Sequence, residues 1–480
     1  MIGIPSCEIL DTAARVCDSI ARKIAPSDPE RKRVNRVAEE LNAKLVREAE
    51  TSRLQAEVKL HGSVAKDTWL KGDADIDIFL RVPVSVSRAD LETRCLGVAR
   101  RALKGYPIIE RYAEHPYVET HVDGVRVNVV PCYAVAKGQW RSATDRTPFH
   151  TEYVISHLGP SQRREVRLLK AFLKGIGVYG ADVKVSGFSG MLCETLIMHY
   201  GSFTKTLEQA QSWRTPVTID LERYYAGREG EMLDLFEEPL VVIDPVDRGR
   251  NLAASISSKR LWEFVAAARA FCVKPSTNFF LSRKVIPLSR ARFRQEMKRR
   301  GWNLLAIRLG PVDTVVDVLW SQLYRTERAL RNLLRQEGFN VTRSASWSNE
   351  KDLNVILFEL ESLILPPMRK HPGPHVSRSQ ASRLFLHKHV SESRSISGPW
   401  VDDDRWAVDQ LRGNTDAVRF LRSKIRDGGR HVGVASKIAP VLKRKHRILA
   451  GPELADFYGR NRDASEFITR FLKGRPTWLG

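Results

Sequence analysis

The sequence predicts an α+β protein of several domains, whose N-terminal domain is a mixed sheet covered by helices. Its 480 residues exceed what one hydrophobic core usually organises, so two to four domains are expected. Helix-like and strand-like segments alternate through the first 150 residues, and a hairpin signal joins two of the strands. Beyond residue 276, basic helices alternate with short strands. These observations together favour the α+β class.

The N-terminal region begins with two predicted helices, at 8–25 and 29–50, the second with a proline in its first turn. Residues 55–83 then predict a strand, a loop and a second strand. The remaining predicted elements are a helix at 88–104 and strands near 107–112, 117–121 and 125–130. Asp123-Gly124 is a hairpin turn signal between the last two strands.

Beyond residue 150, the sequence predicts helices that alternate with short strands. Helices are expected at 161–176, 188–200 and 257–272, and strands over 240–250 and near 303–308 and 353–360. Residues 370–400 are predicted as a loop of low hydrophobicity that is mobile or ordered only on RNA. The predicted domains are a head at 1–150, a central helical domain at 151–275 and a basic C-terminal region at 276–480.

The stretch from Gly62 to Asp77 carries the strongest chemical signal. Strand side chains alternate between faces, so Asp75 and Asp77 project together, roughly 7 Å apart, and two such carboxylates can hold Mg²⁺. A turn at Gly62-Ser63 offers backbone N–H groups and a hydroxyl to a triphosphate. An Asp-x-Asp strand alone is more typical of an exposed sheet face. With the Gly-Ser turn at this distance, it predicts a nucleotidyl-transfer site.

Nucleotidyl transfer of this kind normally uses a third carboxylate on a neighbouring strand, which completes the metal site that activates the attacking hydroxyl. The strand at 125–130 occupies that place, and it carries Asn128. A carboxamide offers a metal one neutral oxygen and cannot accept a proton. From the residues alone, Asn128 is either a metal ligand without charge or a hydrogen-bonded strand residue with no catalytic part.

Four further residues are candidates for nucleotide binding, although spacing alone leaves their roles open. Lys170 lies beside an apolar stripe on a predicted helix, and Tyr179 follows nine residues later. From the residues alone, His150 is better explained as a packed or surface histidine. On spacing alone, Arg250 is an ordinary turn arginine, so its role in nucleotide binding depends on further information.

Charge and cysteine content narrow the class of protein. Residues 281–480 hold 38 Lys and Arg against 20 Asp and Glu, whereas the remainder holds 40 against 36. Such a basic excess predicts a polyanionic partner, nucleic acid above all. The six cysteines lack a Cys-x-x-Cys pair, which argues against a disulfide framework or a zinc site. With no long apolar run and no secretory signal, we expect a soluble cytoplasmic protein without a membrane partner.

The candidate residues fall in short blocks that recur in one enzyme family. The blocks are residues 61–72, 76–80, 111–118, 129–133, 145–150, 165–170, 178–181, 186–190, 193–194 and 244–247. In this order they resemble the archaeal, class I CCA-adding tRNA nucleotidyltransferases. The resemblance covers about residues 55–275 and is weaker over the basic C-terminal half.

The resemblance implies a polymerase-beta-like nucleotidyltransferase head with a helical neck, an α/β body and a tail. It implies template-independent addition of C, C and A to the 3′ end of tRNA from CTP and ATP, with two Mg²⁺ ions as cofactor. The basic C-terminal half would then grip the acceptor and T-stem of tRNA by backbone and shape, as A-form helices are read. A homodimer is left open.

By position, the resemblance also implies roles for individual residues. Asp75 and Asp77 would be metal ligands, the first in place of a Glu. The residues that would contact the nucleotide are Gly62, Ser63, Lys66, His150, Lys170, Tyr179 and Arg250, with Lys66 where the family usually has Arg.

The sequence departs from the family pattern at two positions. Asn128 stands where a third metal-binding Asp is expected, and Arg126 replaces an acidic residue. Losing one catalytic charge commonly costs about 2.7–4 kcal/mol, or roughly 10²–10³ in rate. The chain is therefore a CCA-adding enzyme, impaired if Asn128 weakens the metal site, or a non-catalytic tRNA-end binding paralogue. A poly(A) polymerase or oligoadenylate synthase-like enzyme, which shares the Gly-Ser and Asp-x-Asp site, is the third alternative.

Overall fold

The computed structural model describes residues 7–112, 116–281, 285–391, 395–444 and 446–479. The chain divides into two compact units. The first comprises Met1–Arg283 together with Pro476–Gly480, and the second comprises Lys284–Arg475. The division into three domains at 150 and 275 remains a prediction.

The first unit contains both helices and strands. Its helices are α1 (Cys7–Ile24), α2 (Asp28–Thr51), α3 (Gly62–Ala65), α4 (Arg88–Asp90), α5 (Leu96–Ala102), α6 (Arg146–His157), α7 (Pro160–Ile176), α8 (Gly190–Tyr200), α9 (Phe203–Ala210), α10 (Glu229–Leu235) and α11 (Ser258–Val273). Its strands are β1 (Glu57–His61), β2 (Asp75–Pro83), β3 (Ile108–Tyr112), β4 (Pro116–Val122), β5 (Val125–Ala134), β6 (Val217–Ile219), β7 (Leu240–Asp244) and β8 (Asp247–Asn251). The helices predicted at 8–25 and 29–50 are confirmed as α1 and α2. The helix predicted at 88–104 is interrupted by a π-helical turn at Leu91–Cys95.

Five strands of the first unit form the mixed sheet that the sequence predicts. The strand order is β1-β2-β5-β4-β3, in which β2 and β5 run parallel and the other neighbours run antiparallel. Ile76, Ile78, Val127 and Val129 are fully buried on one face, in a core shared with α2 and α5. Because strand side chains alternate, the residues between these four lie on the opposite face, which carries the polar candidates.

The rest of the first unit is a set of helices packed around aromatic side chains. Phe172 on α7 contacts the rings of Phe271 and Phe279. Trp478, which belongs to the first unit, contributes to this core by stacking on Phe279 with ring centroids 5.4 Å apart. A small sheet of order β6-β7-β8 completes the unit. Here the predicted strand over 240–250 is two strands, β7 and β8, joined by a tight turn.

The second unit is built on an antiparallel sheet between two hydrophobic cores. Its helices are α12 (Arg290–Arg299), α13 (Val316–Glu337), α14 (Ser379–Leu386), α15 (Ala417–Ile425), α16 (Ala439–Arg444), α17 (Gly451–Arg460) and α18 (Arg462–Lys473). Its strands are β9 (Leu304–Leu309), β10 (Val341–Ser348), β11 (Asn354–Leu360), β12 (Met368–His375), β13 (Ser397–Asp402), β14 (Arg405–Leu411) and β15 (His446–Ala450). In the sheet β10-β11-β9-β15, Leu305 and Ile307 pack with α13 and α15, while Leu304 and Ala306 pack with α12 and α17.

The predicted loop at 370–400 is wrong. Within the described residues, this stretch contains α14 and most of β12 and β13, the two outer strands of a second sheet of order β12-β14-β13. Residues 392–394 lie outside the described part. Backbone pairing holds β12 to β14 from Met368 opposite Leu411 onward. Ala407 and Val408 are the buried positions of the central strand. Its neighbours lack the regular apolar alternation by which strands are recognised in sequence.

Among the described residues, none of the helices has the length and apolar character needed to cross a bilayer.

Candidate active site

The parallel pairing of β2 and β5 sets the polar face of the first unit's sheet. In this register Asp75 lies opposite Arg126, and Asp77 lies opposite Asn128. Val127 and Val129 point into the packed face and are fully buried. Asn128 therefore lies on the same face as the two aspartates, as the sequence predicts.

A glycine turn precedes these strands in the chain and contacts them in space. Gly62 has φ +73°, and a Cβ built on it would stand 2.1 Å from Asp77 Oδ2. A larger residue would collide with the carboxylate, so glycine is required for the α3 turn to approach the aspartate strand. The Gly-Ser turn and the Asp-x-Asp strand thus form one site, in which Ser63 lines a cleft beside Asp75.

The cleft has a volume of about 290 Å³ and a mixed charge. Its lining residues are Ser63, Trp69, Leu70, Asp73, Asp75, Arg126, Lys170, Lys174, Tyr179, Gly180 and Asp182. Carboxylates attract a metal cation, and lysines attract phosphate oxygens. The cleft thereby combines the two kinds of group that a metal–triphosphate complex requires.

Each aspartate has a partner on β5. Arg126 Nε donates to Asp75 Oδ1 at 2.5 Å, and Arg126 Nη2 donates to Asp75 Oδ2. Asn128 Nδ2 donates to Asp77 Oδ1 at 2.9 Å. Burial raises the pKa of Asp77 to about 6, although the hydrogen bond from Asn128 opposes this rise. Asn128, which stands where the resemblance leads us to expect a third acid, therefore donates a hydrogen bond to the second aspartate.

The donor set fits a divalent cation through two carboxylates and one neutral oxygen. Asp75 and Asp77 supply the hard oxygen ligands that Mg²⁺ prefers, and Asn128 adds an uncharged carboxamide oxygen. Within the described ranges, no group of three His, Cys, Asp or Glu side chains is placed to hold a metal. On the neighbouring strand β4, Glu119 is the acid that lies opposite Asn128. Glu119 is held by Arg111 at 3.1 Å.

Lys66 and Lys170 both contact the carboxylate of Glu194, a residue that was not among the predicted site residues. Glu194 on α8 is fully buried and accepts from Lys66 Nζ at 2.5 Å and from Thr68 Oγ1 at 2.6 Å. Lys170 Nζ lies 3.4 Å from the same carboxylate. Burial alone would raise the pKa of Glu194, but the two lysines outweigh burial and hold the pKa below its usual value. The pair Cys193-Glu194 was the available sequence signal, in a block carried by the resemblance.

Tyr179 and Lys174 form the side of the cleft next to Lys170. Lys174 Nζ lies 5.3 Å from the centroid of the Tyr179 ring and pairs with Asp73. Burial raises the pKa of Tyr179 well above its usual value, so its hydroxyl stays protonated at neutral pH. Lys170 and Tyr179, predicted from different segments, are thus brought together at one cleft with Ser63 and Asp75.

His150 and Arg250 form a second cluster around another buried carboxylate. Asp244 on β7 is fully buried, with His150 Nε2 at 2.8 Å and Arg250 Nη1 at 2.9 Å from its Oδ2. Burial opposes ionisation of Asp244, but the hydrogen bond from His150 and the charge of Arg250 keep its pKa below the usual value. These two predicted residues do not line the cleft with Asp75. They are positioned together, and Asp244 was absent from the predicted site.

Comparison with known proteins places these elements in one family. Three family models match in order: a nucleotidyltransferase domain at residues 42–150, the second domain of tRNA nucleotidyltransferases at 164–281, and the C-terminal domain of CCA-adding enzymes at 300–451. The first match confirms the predicted nucleotidyltransferase head.

Archaeal proteins named CCA-adding enzyme are similar over most of the chain. That of Halobacterium salinarum is 37% identical over 89% of this chain and 92% of its own length. That of Haloarcula marismortui is 35% identical over 92% and 95%. That of Methanoregula boonei is 39% identical over 75% and 77%. Among solved structures, a cytoplasmic RNA terminal U-transferase aligns with 57% of this chain and 99% of its own, at TM-score 0.45 and 14% identity.

Proposed function

We propose that this chain, which belongs to the family of CCA-adding enzymes, adds C, C and A without a template to the 3′ end of tRNA from CTP and ATP. The observation that carries the proposal is the cleft in which Ser63, Asp75, Lys170 and Tyr179 meet. A nucleotide triphosphate, a metal and an incoming 3′-hydroxyl all need groups of these kinds at one place.

The proposed metal ligands are Asp75, Asp77 and Asn128, and the proposed cofactor is a pair of Mg²⁺ ions. Such ions, when bound, lower the pKa of the attacking hydroxyl and neutralise charge on the phosphates. The protein's part is to present two carboxylate oxygens on one rigid strand. Because Asn128 is uncharged, we expect the position nearest to it to bind its ion weakly.

The proposed nucleotide contacts divide between the cleft and the second cluster. Ser63 and the turn at Gly62 face the triphosphate, and Lys170 supplies it with a positive charge beside Tyr179. Lys66 is not among the residues that line the cleft. Its proposed effect on the nucleotide is exerted through its ion pair with Glu194. The remaining two proposed nucleotide contacts are His150 and Arg250, which Asp244 holds together.

The proposed tRNA surface lies in the second unit. Residues 417–450 contain ten Lys and Arg and one acidic residue. We define the basic patch as the exposed members Arg419, Arg422, Arg426, Arg430, Lys437, Lys443, Arg444 and Arg447. Within the described part of the chain, Arg419 is the member with a carboxylate partner, Asp416. The other members have no carboxylate partner within that described part. Their charges therefore remain available to phosphates of the acceptor and T-stem.

Two alternative functions make different predictions from CCA addition. A poly(A) polymerase or oligoadenylate synthase-like enzyme would use the same cleft, but the family membership favours tRNA and both CTP and ATP. A non-catalytic tRNA-end binding paralogue is favoured by one specific observation, which is that Arg126 and Asn128 occupy both β5 positions facing the aspartates.

The deciding experiment is extension of a tRNA transcript that lacks its terminal CCA. We expect two additions with CTP and Mg²⁺, and three when ATP is also present, while the near-isosteric variant Asp77→Asn adds none. Tailing with ATP alone would favour the polymerase rival. Binding of tRNA without extension under any nucleotide or metal condition would favour the paralogue.

Two finer expectations rest on the same proposal. We propose the cytoplasm as the compartment, because the proposed substrates tRNA, CTP and ATP are found there. A homodimer stays a prediction, which sedimentation of the full chain with and without tRNA would test.

A further inference from the structure

Strand β5 places a protein cation against an aspartate that is proposed to hold the metal. Arg126 lies directly opposite Asp75 in the parallel pair. Its guanidinium engages both carboxylate oxygens, Nε with Oδ1 at 2.5 Å and Nη2 with Oδ2. This fork-to-fork arrangement is the strongest geometry available to an arginine and a carboxylate.

The bidentate pair uses the oxygens that a metal would need. A divalent cation bound to Asp75 must take at least one of the two oxygens that Arg126 now occupies. The pair also cancels the charge of Asp75, so that Asp77 is left as the uncompensated acid of the proposed metal site. The pair is accessible to solvent, since the Asp75 side chain is 33% exposed and that of Arg126 is 46% exposed. Ions can therefore exchange at it.

We propose that Arg126 is an internal cation that competes with the divalent metal for Asp75, so that this chain binds metal only when the Asp75–Arg126 ion pair opens. The inference rests on the proposed function, because the site concerned is the proposed nucleotidyl-transfer metal site. The measured metal affinity is then the intrinsic affinity multiplied by the fraction of molecules in which the pair is open.

The released side chain has an alternative partner in the same cleft. Arg126, Lys170 and Lys174 all line it. A triphosphate bound there would accept the guanidinium when it leaves Asp75, because planar guanidinium groups bind phosphate oxygens in the same bidentate way as carboxylates. Nucleotide would thus help the metal to bind by removing its competitor.

The test is direct titration of the full chain with Mn²⁺, read by the loss of the free-ion signal in electron paramagnetic resonance, in the absence of nucleotide and tRNA. The variants are Arg126→Gln, the same change combined with Asp75→Asn, and a matched control, Arg100→Gln. Arg100 forms an exposed ion pair with Glu110 in the same unit and contacts neither aspartate. The control removes an equal charge at a comparable ion pair. Circular dichroism melts confirm that each variant is folded.

We expect Arg126→Gln to bind Mn²⁺ at least tenfold more tightly than the parent chain, and Arg100→Gln to change the affinity less than twofold. Adding Asp75→Asn should remove the gain, because the freed carboxylate is then absent. An unchanged affinity in Arg126→Gln, an equal gain in the control, or a gain that survives Asp75→Asn would each overturn the inference.

A tRNA extension assay on the same preparations separates this inference from the proposed function. Tighter Mn²⁺ binding without extension in any variant would support the competition and refute CCA addition. Extension together with an unchanged Mn²⁺ affinity in Arg126→Gln would refute the competition and support CCA addition.

Discussion

Replacing Asn128 with aspartate should convert the neutral third position of the site into a charged metal ligand. The side chain already lies beside Asp77 and on the same face, with Nδ2 at 2.9 Å from Oδ1. Little rearrangement is therefore needed for a carboxylate of nearly the same shape to point at a shared cation. One catalytic charge is commonly worth about 2.7–4 kcal/mol, so the rate of nucleotide addition should rise by roughly 10²-fold or more.

The same change should cost stability when metal is absent. It removes the hydrogen bond to Asp77 and places two carboxylates side by side, for which we expect a loss of about 1–3 kcal/mol in the free energy of unfolding. Burial already raises the pKa of Asp77 to about 6, so the site disfavours a second negative charge. Saturating Mg²⁺ should restore the stability of Asn128→Asp more than that of the parent chain.

The assay is single-turnover addition of CMP to tRNA lacking its CCA end, at several Mg²⁺ concentrations, with tRNA affinity measured in parallel. Asn128→Ala is the matched control, because it removes the hydrogen bond without adding charge and should give no gain in rate. If the parent chain is already fast and Asn128→Asp adds nothing, some other group completes the metal site. The role assigned to this strand would then be wrong.

Four further outcomes follow from the structure. Asp77→Ala should abolish nucleotide addition and leave tRNA affinity within about twofold in filter binding, because the carboxylate serves the metal and the basic patch serves the RNA. The double variant Arg444→Ala/Arg447→Ala should make the slope of log affinity against log salt about two units shallower, since each lost phosphate contact releases one counterion fewer; an unchanged slope would remove these residues from the interface. Glu194→Gln should lower the free energy of unfolding by about 3–5 kcal/mol in urea titration, because two lysines lose their buried counter-charge, and should raise the KM for CTP in whatever fraction folds. Burial lowers the pKa of His61 to about 4, below its value of about 6.5 in the unfolded chain, so the unfolded chain binds the proton first. As the pH falls from about 6.5 to about 4, His61 should therefore contribute a loss of up to about 3 kcal/mol of stability. Because the raised pKa of Asp77 acts in the opposite direction in this range, the loss is read as the difference between thermal melts of the parent chain and of His61→Phe.

Local patterns were sufficient to predict the aspartate strand and its neighbours. The alternation around Asp75 and Asp77 places both on one face whatever the sheet order, because a strand has a period of two. The Asp123-Gly124 turn was equally local: both residues adopt positive φ, 50° and 74°, as a tight hairpin requires. Features of this kind depend on residues within a few positions of one another.

The buried carboxylates of the site could not be found in the same way. Glu194 meets Lys66 across 128 residues of sequence, and Asp244 meets His150 across 94. Each carboxylate lies in an apolar segment and is recognisable only when its cationic partners are brought to it. Strands β12 and β13 were missed for a related reason. They are held by backbone pairing with β14, and their side chains lack the apolar alternation that identifies a strand in sequence.

The stacking of Trp478 on Phe279 has a consequence for the order of biosynthesis. On the ribosome the chain emerges from its N-terminus, so the helices of the first unit are complete long before residue 478 is made. Until then the Phe279 ring stacks on Phe172 but lacks its second stacking contact, Trp478, and the whole second unit must be synthesised before that residue is made. The nascent chain thus carries the first unit without the Trp478 contact to its aromatic core throughout the translation of the second. This interval is when we expect the chain to be most dependent on chaperones.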